Sequence, residues 1–237
     1  MPTLAVMGDR YTLTASKEVL SKRLGVDVPG HYQPRYNAAP TQLLPLVTPG
    51  SQGLSFFYWG QIPGRAHNRS ISAKLLYSEA ETVKNKPIQM TTLMERRCLV
   101  PADGFYAWKR ISKKGKVAHR IVFGHNEIVT LGGIWEEFED DSGTVAHTFR
   151  IITTPANSLV APMHPTMPLV LNKNAESTWS NPASTKEDLL ALLDPYPEND
   201  MHSYSVSPKI DEVTNDSPAL IQPFAPADQF GNYSLFD

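Results

Sequence analysis

Apolar and polar residues recur along this chain with two periods, and proline or glycine marks most of the changes between them. Val19, Leu20 and Leu24 fall on one stripe, so a short helix is predicted over Lys17–Val26, capped by Thr14 or Ser16. Gly25 and Pro29-Gly30 lie at or just beyond its end. Residues 54–62 (LSFFYWGQI) are aromatic and β-prone between Gly53 and Pro63-Gly64, which predicts a buried strand. Residues 87–97 read as helix and lead into Cys98-Leu99-Val100, a compact apolar run that Pro101 should cut. Val117–Phe123 and Ile128–Trp135 form a predicted hairpin around Gly124-His125-Asn126, and Phe149–Thr153 and Leu169–Leu171 are further strands. Ser184-Thr185-Lys186-Glu187 has the capping-box pattern ahead of Leu189, Leu190, Leu192 and Leu193, the clearest helix signal in the chain. No internal repeat and no low-complexity linker interrupts these elements. Several strands per helix point to one β-rich α+β domain spanning 1–237.

Composition narrows the class. With 237 residues, 41% hydrophobic and 19% charged, the chain can bury a real core, which excludes disorder over most of its length. No apolar run reaches membrane-spanning length, and MPTLAVMGDR has no basic segment followed by an apolar one. The single cysteine, Cys98, excludes an internal disulfide framework and a multi-thiolate zinc site. A soluble, cytoplasmic protein is the expectation, associated with the nucleoid if it binds DNA.

Charge changes the picture more than composition does. The net charge is −2, which argues against a general nucleic-acid binder. Yet residues 61–124 carry 13 Lys+Arg against 4 Asp+Glu, a local balance of +9 that leaves −11 for the remainder. Such asymmetry can build one basic face toward phosphates. It can also be an ordinary solvated surface.

Candidate chemistry is sparse. There is no Gly-rich phosphate loop, no G-x-S-x-G elbow and no H-E-x-x-H helix. The seven histidines are scattered without ligand spacing, so neither a metal nor a cofactor is expected. Cys98 could act as a nucleophile with His164 as its base, but its place before an apolar strand favours a buried structural thiol. His164 lies in the proline-rich stretch Ala161–Pro168 just before a strand, where a scaffolded loop can present a proton-transferring imidazole. Trp59, Arg65 and Arg69 interleave aromatic and basic character, which suits stacking on unpaired bases; Trp59 can equally be core.

Six segments read in order resemble the SRAP family, the SOS-response-associated peptidases or abasic-site-processing proteins. Met7-Gly8-Asp9-Arg10-Tyr11-Thr12-Leu13 resembles the family's opening Met-Cys-Gly-Arg-Tyr/Phe, and Arg35-Tyr36-Asn37-Ala38-Ala39-Pro40 its Arg-Tyr-Asn-x-Ala-Pro. Trp59-Gly60-Gln61-Ile62-Pro63 is similar to its Trp-Gly-x-x-Pro. Arg97–Tyr106 with Trp108 is similar to its central block. His164 with Met167-Pro168, and Leu220-Ile221-Gln222-Pro223, complete the set. The resemblance runs from residue 7 to about 223, leaving 1–6 as an N-terminal extension and 224–237 as a tail. It implies a bent, partly barrel-like sheet flanked by helices. It also implies binding of single-stranded DNA and covalent capture of an abasic aldehyde by an N-terminal cysteine, whose amine and thiol close a thiazolidine.

The departures from that pattern fall on the chemistry. Gly8 stands at the nucleophile's position behind six extra residues, Ser72-Ala73-Lys74 replaces Asn-Ala-Arg, and Ala107 replaces a glutamate. Arg65 occupies the place of a second tryptophan, and Pro165-Thr166 follows His164 where the family has Asp-Arg. The resemblance therefore implies a catalytic set of His164, Gly8, Ser72 and Ala107 from which the nucleophile, amide and carboxylate are missing. Arg10, Asn37, Trp59, Arg65, Lys74 and Thr153 are the implied DNA contacts. Single-stranded or abasic-site DNA is the expected partner, with capture chemistry lost or altered. Two alternatives stay open: an active enzyme using another terminal amine, such as Pro2, and a scaffold repurposed for a protein or small molecule. Oligomeric state is not legible.

Overall fold

The β-branched and aromatic residues concentrated between residues 97 and 155 form five consecutive strands, and everything else packs around them. A computed structural model describes residues 9–60, 62, 73–112, 115–139 and 145–225; of Ala73 and Lys74 it gives only the backbone. The chain runs β1 (Tyr11–Leu13), α1 (Lys17–Leu24), β2 (Arg35–Ala38), β3 (Leu43–Leu46) and β4 (Ser55–Trp59). It continues through α2 (Ala73–Leu76), β5 (Tyr77–Glu79), α3 (Ala80–Asn85) and α4 (Pro87–Arg96). The five central strands are β6 (Arg97–Ala102), β7 (Gly104–Arg110), β8 (Lys116–Phe123), β9 (Val129–Glu139) and β10 (Val145–Pro155). After them come β11 (Thr166–Pro168), β12 (Val170–Leu171), α5 (Lys173–Ser180), α6 (Lys186–Leu190) and β13 (Met201–Ser205).

Two sheets result. One has the order β13-β8-β7-β1-β2; the other has the order β12-β9-β10-β4-β3, with β5 and β11 added to β10 and β6 to β9. Together they make a β-rich α+β fold with a nearly closed, barrel-like sheet, as the sequence led us to expect. Period-2 alternation feeds two cores from the same strands. Val100, Leu131, Phe149 and Ile151 meet Tyr11, Phe105, Ile121 and Phe123 between the sheets. Leu99, Ile134 and Ile152 point the other way and are covered by Val83, Leu93, Trp179 and Leu189 from the helices.

Three local expectations are corrected. Val117–Phe123 and Ile128–Trp135 fall on β8 and β9 but do not form a hairpin: β8 pairs with β7 and β13, while β9 pairs with β6, β10 and β12 in the other sheet. Pro101 does not end its strand: β6 runs on to Ala102, with Pro101 opposite Thr130 of β9. The Leu99 N–H donates to Val47 on the side away from β9, at 2.8 Å. Two residues on, the missing N–H of Pro101 faces that same outer side, so the β9 ladder loses nothing. The capping box is displaced by one residue: the Thr185 side chain caps α6 and Asp188, not Glu187, reaches back to the Thr185 N–H at 2.8 Å. The helix it opens is only five residues long.

One edge of β10 has an unusual occupant. Phe149 pairs in parallel with Trp59 at the end of β4, and Ile151 pairs in parallel with Tyr77 at the start of β5. Only Arg150 separates the two. The chain leaves this edge at Gly60, whose φ of 81° suits glycine. A Cβ there would come 2.4 Å from the Leu76 side chain.

Cys98 is fully buried in β6, and burial pushes its thiol pKa well up. We expect no modification by a bulky maleimide in the native state and stoichiometric modification in denaturant; rapid native labelling would overturn the structural assignment.

Candidate functional site

The site is built where β1 enters the sheet. The Tyr106 N–H donates to the Arg10 carbonyl at 3.1 Å, carrying the β1–β7 pairing beyond Tyr11↔Phe105. Continued one step, this register sets Asp9 alongside Ala107. Ala107 is in turn paired with His119 of β8. Opposed residues of antiparallel strands share a face, so the fully buried Ala107 methyl lies between a carboxylate strand position and an imidazole. His119 Nδ1 is buried with no hydrogen-bond partner among the described residues, and burial lowers its pKa.

Asp9 is the hub. Tyr77 Oη donates to Asp9 Oδ1 at 3.1 Å, and Arg10 Nη1 donates to the Asp9 carbonyl at 2.7 Å. Burial raises the Asp9 pKa above the ordinary carboxylate range, while the Tyr77 hydrogen bond and the charges of Arg10 and His164 pull it down. Tyr77 moves further: burial and the adjacent Asp9 hold its phenol well above its ordinary pKa, so it stays a donor.

His164 reaches this cluster from the loop closing the β10–β11 hairpin. Asn157 Oδ1 accepts from Val160 N at 3.1 Å, and the His164 N–H donates to the Val160 carbonyl at 3.0 Å. Thr166 then holds the ring, its backbone N–H lying 3.2 Å from His164 Nδ1 and its hydroxyl also 3.2 Å away. Arg10 is partly buried, and its Nε has no partner among the described residues.

Of the positions singled out from sequence, the fold brings Arg10, Ala107 and His164 around Asp9. Gly8, Arg65 and Ser72 lie outside the described residues, as do Pro2 and Arg69; Lys74 is placed only as part of α2. Three others are structural. Trp59 is 1% exposed, stacked on Phe149 and tilted against Tyr11, with its indole N–H on the Leu76 carbonyl at 3.2 Å. It offers no open ring face to a base. Asn37 is fully buried, and its amide donates to the Glu212 and Asn215 carbonyls at 3.0 and 2.8 Å, anchoring the C-terminal segment. Thr153 is 5% exposed within β10, between Pro168 and Glu79.

Among the described residues, the basic side chains of the +9 segment do not form one face. Arg97 is 2% exposed and donates to the Trp179 and Asn181 carbonyls at 2.6 and 2.7 Å, beneath α5. Arg120 is 3% exposed in the other sheet and pairs with Asp103 at 2.9 Å. Lys84 pairs with Asp194, and Arg96 lies over Trp135. Lys86 is exposed between α3 and α4, while Lys109, Arg110 and Lys116 are exposed at the β7–β8 hairpin, Lys116 lying over the Trp108 ring at 5.0 Å and pairing with Asp211 at 3.0 Å.

Asp9 and Tyr77 were missed by sequence reasoning. A carboxylate within an opening motif that has a glycine at that place was the available signal for Asp9. Tyr77 had none, because its role depends on β5 landing beside β1's approach. Among the described residues no group of His, Cys, Asp and Glu side chains is arranged to hold a metal, and no helix is long and apolar enough to cross a membrane.

Comparison with known proteins agrees with this architecture. The chain is 36% identical over 222 residues to the abasic site processing protein YoqW of Bacillus subtilis, covering 91% of this chain and 99% of that one. It is 25% identical over 238 residues to the abasic site processing protein HMCES of Rattus norvegicus, covering 82% and 66%. A solved structure from Bacteroides thetaiotaomicron superposes with a TM-score of 0.80 at 24% identity, over 91% of this chain and 99% of that chain, which speaks to fold. The model of the SOS response associated peptidase (SRAP) family matches residues 7–213, and the chain belongs to that family.

Proposed function

We propose that this protein binds abasic-site and single-stranded DNA in the DNA-damage response and has lost or altered the covalent capture its family's pattern implies. One observation carries the reading: Arg10 and His164 both lie close enough to the partly buried Asp9 for their charges to act on it, although Gly8, Ser72 and Ala107 stand where a nucleophile, an amide and a carboxylate would be needed. The relatives' names supply the substrate class. Arg10 offers a charge for phosphate, and the exposed Lys109, Arg110 and Lys116 of the β7–β8 hairpin extend it. Phosphate contacts of this kind supply most sequence-independent affinity.

The decisive experiment is salt-dependent binding to single-stranded oligonucleotides with and without one abasic site. Arg10→Ala is expected to weaken binding about equally across sequences and to lower the log–log salt slope by about 1. Unchanged affinity would move the phosphate path away from β1. No binding at low salt by the unmodified protein would favour a scaffold repurposed for another ligand.

A further inference from the structure

Asp9 sets a carboxyl group against Tyr77 and within electrostatic reach of Arg10 and His164. Its Oδ1 accepts from Tyr77 Oη at 3.1 Å, it is only partly exposed, and it lies close enough to His164 and Arg10 to feel both charges. The neighbouring site, Ala107, presents only a methyl group, so no second carboxylate competes on that row. The groups facing Asp9 from the packed elements are Tyr77 of β5, Arg10 of β1 and His164 of the β10–β11 loop. His119 of β8 lies beyond Ala107, Lys109 follows on β7, and Asp211 lies behind Arg10.

We propose that Asp9 is an acid–base residue of this cleft, exchanging a proton with the sugar of a bound abasic site. The proposal rests on the DNA-binding reading above. An abasic sugar is mostly a closed hemiacetal, and opening it needs one proton removed and one delivered. Asp9, held through Oδ1 by Tyr77, takes the proton of the 1′-hydroxyl with Oδ2. The O–H electron pair becomes the C1′ carbonyl, the C1′–O4′ bond breaks, and O4′ takes a proton from the protonated His164 ring. The sugar is isomerised without net gain or loss of atoms. Closure on either face returns both protons and interconverts the two anomers.

Anomer interconversion is therefore the readout. An oligonucleotide carrying a 13C-1′ abasic site gives separate resonances for the two anomers, and exchange spectroscopy measures their interconversion with and without saturating protein. The full-length protein should accelerate exchange, and Asp9→Asn should reduce the acceleration about 100-fold. Because Asp9 acts as a base, the protein-dependent rate should rise with pH through the Asp9 ionisation, and that limb should be missing in Asp9→Asn. Asp9→Glu should retain most of the rate. Binding, measured on the same oligonucleotide, should be unchanged or tighter in Asp9→Asn, since a negative charge beside Arg10 is removed. Should Asp9→Asn fail to fold, the double variant Asp9→Gly/Ala107→Glu, which moves the carboxylate one strand across, should keep the acceleration. Exchange in Asp9→Asn equal to that of the unmodified protein, with the same pH profile, would overturn the proposal while leaving DNA binding intact. Bound DNA whose anomers exchange no faster than free DNA would overturn it as well. Absence of any binding would instead overturn the functional reading on which it rests.

Discussion

Asp103→Ala is expected to lower unfolding stability by about 3–5 kcal/mol, read as a fall in the urea midpoint at unchanged slope. The side chains of Asp103 and Arg120 are 5% and 4% exposed and lie 2.9 Å apart. Asp103 also accepts from the Thr12 and Thr14 hydroxyls at 2.6 and 2.7 Å, which ties β1 to the β6–β7 junction. Removing the carboxylate strands a guanidinium whose remaining partners include the Tyr204 hydroxyl, at 2.8 Å. Leaving one charge buried without its counterion costs far more than the pair itself contributes, so Asp103→Ala/Arg120→Met should be more stable than Asp103→Ala alone. A single variant within 1 kcal/mol of the unmodified protein would contradict this. Because the same network holds β1 in place through Thr12 and Thr14, Asp103→Ala should also weaken DNA binding through Arg10, which precedes that strand.

The second large effect is chemical. The unmodified protein should give no reductant-independent adduct with abasic single-stranded DNA, because Gly8 carries no thiol and Ala107 no carboxylate. A variant without residues 1–6, carrying Gly8→Cys and Ala107→Glu, should regain adduct formation by at least about 100-fold, the size of typical acid–base assistance. His119 makes the second change tolerable. Its buried Nδ1, without a partner among the described residues, lies across the ladder from position 107, so a glutamate there should gain a hydrogen bond as it displaces core packing. Adduct formation is scored on denaturing gels without borohydride. A stable adduct from the unmodified chain would mean that another amine, such as Pro2, has taken over. A restored variant that binds DNA but forms no adduct would mean that the cleft no longer aims position 8 at the sugar.

The strands were legible because their apolar runs are bounded by glycine, proline and polar turns, and 117–123 and 128–135 are the strands β8 and β9. Their pairing was not legible: the two lie in different sheets, because a short connection between apolar runs does not say that the strands it joins are neighbours. Pro101 was misread because sequence does not reveal which side of a strand has a partner. Charge was misread for a related reason. Arg96 and Arg97 are adjacent in sequence, yet one lies over Trp135 while the other is buried under α5. Trp59 suited a stacking role by composition, but the parallel pairing with Phe149 decides where its ring goes. Asp9 depends on register across three strands, which no local pattern encodes.

The two short strands on one edge of β10 have a consequence for how this protein can change. Seventeen residues, from 60 to 76, lie between Trp59 and Tyr77 in sequence, yet the ladder they share skips only Arg150. Gly60 is fixed at the exit by its N–H on the Phe149 carbonyl at 2.9 Å, and β5 fixes the return. Residues added to or removed from this stretch need not shift any strand, and loop closure changes by only about 0.6 kcal/mol per doubling of length. The segment is a cassette: its sequence can drift, lengthen or be exchanged while the ladder on either side keeps its pairing. Arg65, Arg69, Ser72 and Lys74 all fall within it. Substitutions at these positions can thereby accumulate in one piece of chain without putting foldability at risk in the rest.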